Sequence, residues 1–212
     1  MRAAVGIALR GAALAIALAA PHLAGACTLA RVSGAEAVVP ASGRIDGRLI
    51  DAAIRAEVNF QRCRAGLNEL AAAPGLAEAA TTHAKWMARA QTISHDSSVP
   101  GQSSVLARMQ SSGIEFRAGS ENIGKIARYG IDGIQFRIRD AGACVFATQD
   151  GQTIGAHSYQ SLARHIVNLW ANSSKHRTNM LDPKVRMVGS GVGYDPSSPY
   201  CGAFYVSQNY AG

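Results

Sequence analysis

The chain has 212 residues, a formal net charge of +7 at pH 7 and a hydrophobic content of 48%. This length and apolar content indicate a single domain with a real hydrophobic core. The basic residues are scattered and form no stripe interleaved with aromatic side chains, so nucleic-acid binding is not expected.

The N-terminus predicts a signal peptide over residues 1–26. Arg2 and Arg10 carry positive charge, an apolar run follows over residues 11–20, and residues 24–26 (Ala-Gly-Ala) have the small-x-small pattern of a cleavage site. The apolar run is about half of the roughly 20 residues that cross a bilayer, and no later stretch is long enough either. We therefore expect an exported protein, secreted or periplasmic, without a transmembrane span.

Cys27 directly follows the expected cut, which leaves open a lipid anchor on this residue. A lipoprotein signal usually has leucine three residues earlier, where this chain has Ala24. Release is therefore favoured, with lipid anchoring through Cys27 as the alternative.

The chain has four cysteines: Cys27, Cys63, Cys144 and Cys201. An even number in an oxidising compartment predicts two disulfides, and four cysteines allow three pairings. Proximity along the chain favours Cys27–Cys63 and Cys144–Cys201. No close C-x-x-C pair is present, so a zinc–thiolate site is not expected.

Helical patterns dominate the first part of the predicted domain. After an irregular segment over residues 27–45, apolar residues at three-to-four spacing predict helices over 46–64 and 74–90. A shorter helix over 103–112 is expected to turn three side chains inward: Val105, Leu106 and Met109.

Strand patterns dominate the second part. Alternation predicts a strand over 134–139, with 144–148 as its hairpin partner, inside a poorly patterned stretch at about 125–157. A helix follows over 158–172, and two further strands are predicted: residues 187–194 and 203–210. Helices mostly first and strands mostly last indicate an α+β domain over residues 46–212.

Short motifs spread along this domain resemble, in order and approximate spacing, those of the CAP (SCP-type) superfamily. They are Asn59-x-x-Arg62, Ser94-His95, Ser120-Glu121-Asn122-Ile123, Trp170-x-x-Ser173-x-x-His176-Arg177-x-Asn179, Gly189-x-Gly191-Val192-Gly193 and Tyr205-x-x-Gln208-Asn209-Tyr210. This superfamily includes cysteine-rich secretory proteins, insect venom antigens and plant pathogenesis-related proteins. The resemblance implies an α-β-α sandwich, a mostly antiparallel sheet flanked by helices, with a surface cleft.

The resemblance also implies a cleft site of two histidines and two acidic residues. His95, Glu121 and His176 fall on three of these motif positions. The fourth position has no acid, because Asn172 and Ser173 stand there. This departure weakens any acid–base mechanism carried over from the superfamily.

Three functions remain open for this cleft. The favoured one is a binding module for a lipid, a sterol-like ligand or an envelope component. The alternative is a metal-dependent, peptidase-like hydrolase with zinc held by His95, Glu121 and His176, since two imidazoles and a carboxylate are a sufficient ligand set. The third is an interaction protein whose surface alone matters, with the same residues forming a hydrogen-bonded polar cluster.

Other residues with reactive side chains point to structural roles. His83 lies on an apolar helix face and is expected in the core. We expect His165 to be solvated, and nothing singles out His157. Ser94 and Ser173 lie beside motif histidines but have no G-x-S-x-G context that would predict a nucleophile.

The stretch at about 125–157 is longer than the link expected in compact bacterial members of the superfamily. Because it contains Cys144, a bond to Cys201 would pin it to the last hairpin. We expect it to form an insert that lies over or beside the cleft.

Overall fold

The computed structural model describes residues 26–212, so the predicted signal peptide, apart from Ala26, lies outside the described residues. The elements within this range are α1 (Gly47–Arg64), β1 (Ala71–Ala72), α2 (Pro74–Ala90), α3 (Val105–Ser111), β2 (Gly119–Ala127), β3 (Phe136–Asp140), β4 (Val145–Thr148), β5 (Thr153–Ile154), α4 (Tyr159–Asn172), α5 (Ser174–Met180), β6 (Met187–Asp195) and β7 (Ala203–Ala211).

The centre of the domain is a four-stranded sheet in the order β1-β6-β7-β2. β7 pairs antiparallel with both β6 and β2, and the two-residue β1 pairs parallel with β6. α2 packs on one face with α3 beside it, whereas α1 and α4 pack on the other with α5 next to α4. The predicted α+β class and the implied α-β-α sandwich are confirmed.

Helix periodicity located the two core helices well. α1 and α4 begin one residue after Asp46 and Ser158, whose side chains accept hydrogen bonds from backbone N–H groups of the first turn. Their apolar faces form the main core with β6 and β7. The Trp170 indole, 1% exposed, donates a hydrogen bond of 3.1 Å to the Ile123 carbonyl, which ties α4 to β2.

α2 lies unusually close to β6 because β6 has glycines at alternate positions on the face that meets the helix. A Cβ atom there would lie within 2.3 Å of α2 backbone in each case: Gly189 against Ala77, Gly191 against Thr81 and Gly193 against Ala84. No side chain fits at this distance, so the glycines allow direct backbone-to-backbone packing.

Two elements near the cleft were not predicted. β2 was missed because its sequence, GSENIGKIA, has no clear alternation and only two strong strand formers, Ile123 and Ile126, and its pairing with β7 creates the strand. α5 was missed because its seven residues are almost all polar. The predicted inward face of α3 was wrong in part: Met109 is buried and Val105 packs against the same cluster, but Leu106 is 58% exposed whereas Arg108 is fully buried.

Both predicted disulfides are confirmed. Cys27 is bonded to Cys63, and Cys144 to Cys201. The second bond pins the insert, whose β3, β4 and β5 form a separate three-stranded sheet, to the turn between β6 and β7.

We expected the insert to lie over or beside the cleft, but none of its residues lines the cleft. Its apolar cluster packs around Cys201 and Ala127, and Ala127 pairs with Ala203 at the β6–β7 end of the sheet. Glu121 lies six residues away along β2, about 20 Å at strand spacing.

Among residues 26–212, no helix has the length and apolar character needed to cross a membrane.

Candidate functional site

Glu121 lies near the start of β2, on the sheet face that α2 and α3 cover, and it is 4% exposed. Both of its carboxylate oxygens are hydrogen-bonded. Oε1 accepts from His95 Nδ1 at 2.8 Å and from Arg108 Nη2 at 2.7 Å. Oε2 accepts from Arg108 Nε at 2.8 Å and from Ser207 Oγ at 3.3 Å. A carboxylate has about four acceptor positions, so those of Glu121 are filled.

Arg108, on α3, is fully buried and holds Glu121 with two parallel hydrogen bonds. Its guanidinium also donates to the backbone carbonyls of Gln102, at 2.9 Å, and His95. One arginine therefore fixes the buried carboxylate and the loop between α2 and α3. Such bidentate, charge-assisted pairs are among the stronger polar interactions in proteins.

His95 lies in that loop, and half of its side-chain surface is exposed. Because an ionised carboxylate only accepts hydrogen bonds, Nδ1 carries the proton in the bond to Glu121. In the neutral ring, Nε2 therefore has the free lone pair. No partner within residues 26–212 hydrogen-bonds to Nε2.

His176 lies on α5, whose position is fixed by amide side chains. Asn179 Nδ2 donates to the Glu121 carbonyl at 3.1 Å and to Asn122 Oδ1 at 2.9 Å. Asn122 Nδ2 in turn donates to the His176 carbonyl at 3.0 Å. α5 and β2 are thus joined at His176 itself and three residues further along, at Asn179.

These elements enclose an open cleft of about 430 Å³. Six residues line it: His95, Glu121, Lys175, His176, Thr178 and Asn179. All three residues named by the superfamily resemblance are therefore brought together, from a loop, a strand and a short helix that are distant in sequence.

The pKa values at the cleft follow from burial and from Arg108. Burial by itself raises the pKa of Glu121, but hydrogen bonds from His95 and Arg108, together with the Arg108 charge, hold it below its ordinary value. Burial lowers the pKa of His176, and the charge of His95 lowers it further. The site therefore has an ionised glutamate beside imidazoles, of which His176 is disposed to be neutral.

His83 is a core histidine, as predicted, but it lies against the site. It is fully buried, its Nε2 is 2.9 Å from the Ser94 carbonyl and 3.9 Å from Glu121 Oε1, and its ring stacks on Trp86. Burial lowers the pKa of His83 despite the nearby carboxylate. We interpret His83 as an uncharged core residue that packs against Glu121 on the side away from the cleft.

Comparison with known families identifies the chain. The sequence profile of the cysteine-rich secretory protein family, CAP, matches residues 55–210. The chain belongs to the CAP family. The resemblance found in its motifs is thereby confirmed. No curated protein sequence matches the chain significantly.

Three solved structures resemble this CAP domain. An extracellular protein containing an SCP domain from Bacillus anthracis is 22% identical, with a TM-score of 0.46, over 80% of this chain and 45% of that one. An outer surface protein from Borrelia burgdorferi is 16% identical, with a TM-score of 0.52, over 80% and 98% of the two chains. A cysteine-rich secretory protein from Staphylococcus aureus is 15% identical, with a TM-score of 0.45, over 78% and 39%. The likeness to the Borrelia protein shows the fold alone, and the chain spans less than half the length of the other two.

The three predicted zinc ligands of this CAP domain do not fit a metal as a set. The acceptor positions of Glu121 are filled, and the Arg108 cation lies directly behind its carboxylate. To ligate zinc, Glu121 would have to release a buried ion pair, whose disruption typically costs about 3–5 kcal/mol. Within residues 26–212 no group of three or more His, Cys, Asp or Glu side chains is arranged to hold a metal ion.

Sequence reasoning missed Arg108, although one signal was present. Arg108 lies three residues after Val105 and beside Met109, on the face of α3 that turns inward. An arginine at such a position indicates a buried acidic partner. Arg108 was not among the predicted inward residues of α3, because only the folded chain supplies that partner.

The remaining histidines were only partly predicted. His165 is half-buried rather than solvated, and its ring lies 5.6 Å from that of His157. His157 is 7% exposed, and burial together with the charge of His165 lowers its pKa to about 4. His157 lies two residues before α4 and His165 lies in the middle of that helix, and neither lines the cleft.

Proposed function

We propose that this CAP domain is an exported binding protein whose cleft, between His95, Glu121 and His176, holds a lipid or another cell-envelope ligand without chemical turnover. The observation that carries the proposal is the saturated carboxylate of Glu121. A general base must be able to accept a proton, and this carboxylate is held ionised with no acceptor position directed at a ligand.

The shape of the site supports binding as well. The cleft is open, is fixed by the Asn122 and Asn179 amides, and presents imidazole, ammonium and hydroxyl groups at its surface. A few fixed polar groups in a concave site are typical of ligand recognition.

The hydrolase alternative has weaker support. It requires Glu121 as a zinc ligand or as a base, and Arg108 competes with both roles. The second acid of the family tetrad is also replaced by Asn172 and Ser173. We therefore derive no catalytic step through a metal.

Export is supported by the two disulfides, which are typical of oxidising compartments. The Cys27–Cys63 bond uses the sulfur that a lipid anchor would need, so we propose that the protein is released rather than anchored after removal of residues 1–26.

Ligand recovery tests the proposal. The protein is purified from its export compartment, extracted with organic solvent and analysed by mass spectrometry, alongside His95→Ala/His176→Ala and a control, His165→Ala, whose ring lies outside the cleft. We expect a stoichiometric small molecule on the wild type and the control that the double variant loses. Equal recovery from all three proteins, or none from any, would overturn the proposal.

A further inference from the structure

The charge balance of the cleft favours an anionic ligand. Glu121 is the only acidic side chain that lines it within residues 26–212, and the buried guanidinium of Arg108 neutralises that charge. Lys175 is exposed at the cleft, and no carboxylate in the described part of the chain lies within ion-pair distance of its ammonium group. The net charge presented to a ligand is therefore positive.

The free hydrogen-bonding groups indicate the shape of that anion. Asn179 uses both amide hydrogens on β2, and the Thr178 hydroxyl donates to the Ser174 carbonyl at 2.9 Å. The Lys175 ammonium and ring nitrogens of His95 and His176 have no hydrogen-bond partner among residues 26–212 and are left for a ligand. A phosphate group can bind both the donors and the acceptors of this set. Its oxygens accept hydrogen bonds from an ammonium or a ring N–H, and its P–OH can donate to an unprotonated ring nitrogen.

A second depression adjoins the cleft and shares Thr178 with it. It has a volume of about 440 Å³ and is also lined by Arg177, Leu181, Asp182 and Pro183. Leu181 and Pro183 provide apolar surface next to the cationic cleft. A ligand with a phosphate end and a less polar remainder can occupy the cleft and this second depression together.

We propose that the cleft recognises the phosphomonoester end of its ligand. Lys175 supplies the charge, His95 and His176 bind the phosphate through ring nitrogens, and the remainder of the ligand lies along Leu181 and Pro183. This inference rests on the proposed function, since it names the class of ligand that the same cleft binds.

The test is an NMR titration of the isotope-labelled protein with inorganic phosphate and with glycerol 3-phosphate, at constant ionic strength. We expect saturable shifts centred on Lys175, His176 and Thr178. Lys175→Gln is expected to weaken binding about five- to tenfold, the loss of one charge-assisted contact. Arg139→Gln removes the same charge from the insert, outside the cleft, and is expected to leave binding unchanged.

Vesicle flotation separates a membrane source from a soluble one. Phosphatidylcholine vesicles with and without phosphatidic acid are compared for the wild type and both variants. If the protein binds the soluble phosphates saturably but does not float with the vesicles, the inference holds and the ligand is a soluble phosphomonoester. Flotation that needs phosphatidic acid and falls in Lys175→Gln supports it with a lipid ligand.

Two results would overturn the inference. One is the absence of saturable binding to any phosphate probe, and the other is an equal loss in Lys175→Gln and Arg139→Gln, which would indicate unspecific attraction. If a co-purified ligand without phosphate is lost in His95→Ala/His176→Ala, this inference fails while the proposed function stands.

Discussion

The Arg108 guanidinium donates two hydrogen bonds to the Glu121 carboxylate, at 2.8 and 2.7 Å, and neither side chain is exposed to solvent. This ion pair connects the fold to the function of the cleft. It holds β2 against α3, and under the proposed function it leaves Glu121 to orient His95 rather than to react with a ligand.

Removal of Arg108 is expected to destabilise the domain strongly. Arg108→Ala leaves a buried carboxylate without its cation, so we expect the free energy of unfolding to fall by about 3–5 kcal/mol, measured by denaturant unfolding. The control is Arg164→Ala, whose side chain is 57% exposed and lies 3.4 Å from Glu57. Glu57 itself is buried, but it keeps its hydrogen bond from Gln160 and the Arg164 charge is largely solvated, so the control is expected to lose much less stability than Arg108→Ala.

A double variant distinguishes the ion pair from general packing. Arg108→Ala/Glu121→Gln no longer buries an unpaired charge, so it is expected to recover part of the lost stability. A loss in Arg108→Ala no larger than that in Arg164→Ala would contradict this account of the ion pair.

The sequence predicted the fold wherever a local pattern reflects burial. α1, α2 and α4 have apolar faces at helical spacing, and their boundaries were predicted to within a residue or two. β2 could not be predicted in this way, because its polar sequence becomes a strand only when β7 pairs with it.

The site was predictable only through resemblance. His95, Glu121 and His176 lie on three distant segments, and no spacing in the sequence brings them together. Arg108 was not among the predicted site residues, because charged side chains are usually exposed and only the folded chain brings the buried Glu121 to it. Its effect on the reactivity of Glu121 was therefore invisible from the sequence.

Asp51 on α1 is expected to make stability depend on pH. Burial raises its pKa from 3.8 to about 6, although its Oδ1 accepts a hydrogen bond of 2.7 Å from Ser190 N. Because the folded pKa is above the unfolded one, the contribution of Asp51 is full below about pH 4 and is lost as the pH rises through 6.

Asp51→Asn keeps the acceptor for Ser190 and removes the charge. We expect it to raise the free energy of unfolding by up to about 3 kcal/mol at pH 7.5 and to have little effect at pH 3.5. The exposed Glu115→Gln is the control, with no gain at either pH. Equal stability of Asp51→Asn and the wild type at pH 7.5 would contradict the argument.

The close packing of α2 on β6 gives a prediction about Gly191. In Gly191→Ala the new Cβ would lie 2.2 Å from Thr81 N, which forces the helix from the sheet. We expect a loss of about 3 kcal/mol or more by thermal or denaturant unfolding, the upper range of overpacking.

Gly47→Ala is the matched control for that variant. Gly47 is the first residue of α1, and a Cβ there has no atom within 4 Å. Alanine favours helix by up to about 1 kcal/mol relative to glycine, so the control is expected to be neutral or stabilising. Similar effects of the two substitutions would show that α2 does not pack on the β6 backbone as described.

The central claim is that Arg108 and His95 engage Glu121 fully and leave a binding cleft rather than a metal centre. Elemental analysis tests this claim most directly. The wild type and His95→Ala/His176→Ala are dialysed against zinc, then against zinc-free buffer. The account predicts substoichiometric zinc, equal in the two proteins. One retained zinc per chain in the wild type that the double variant loses would contradict it.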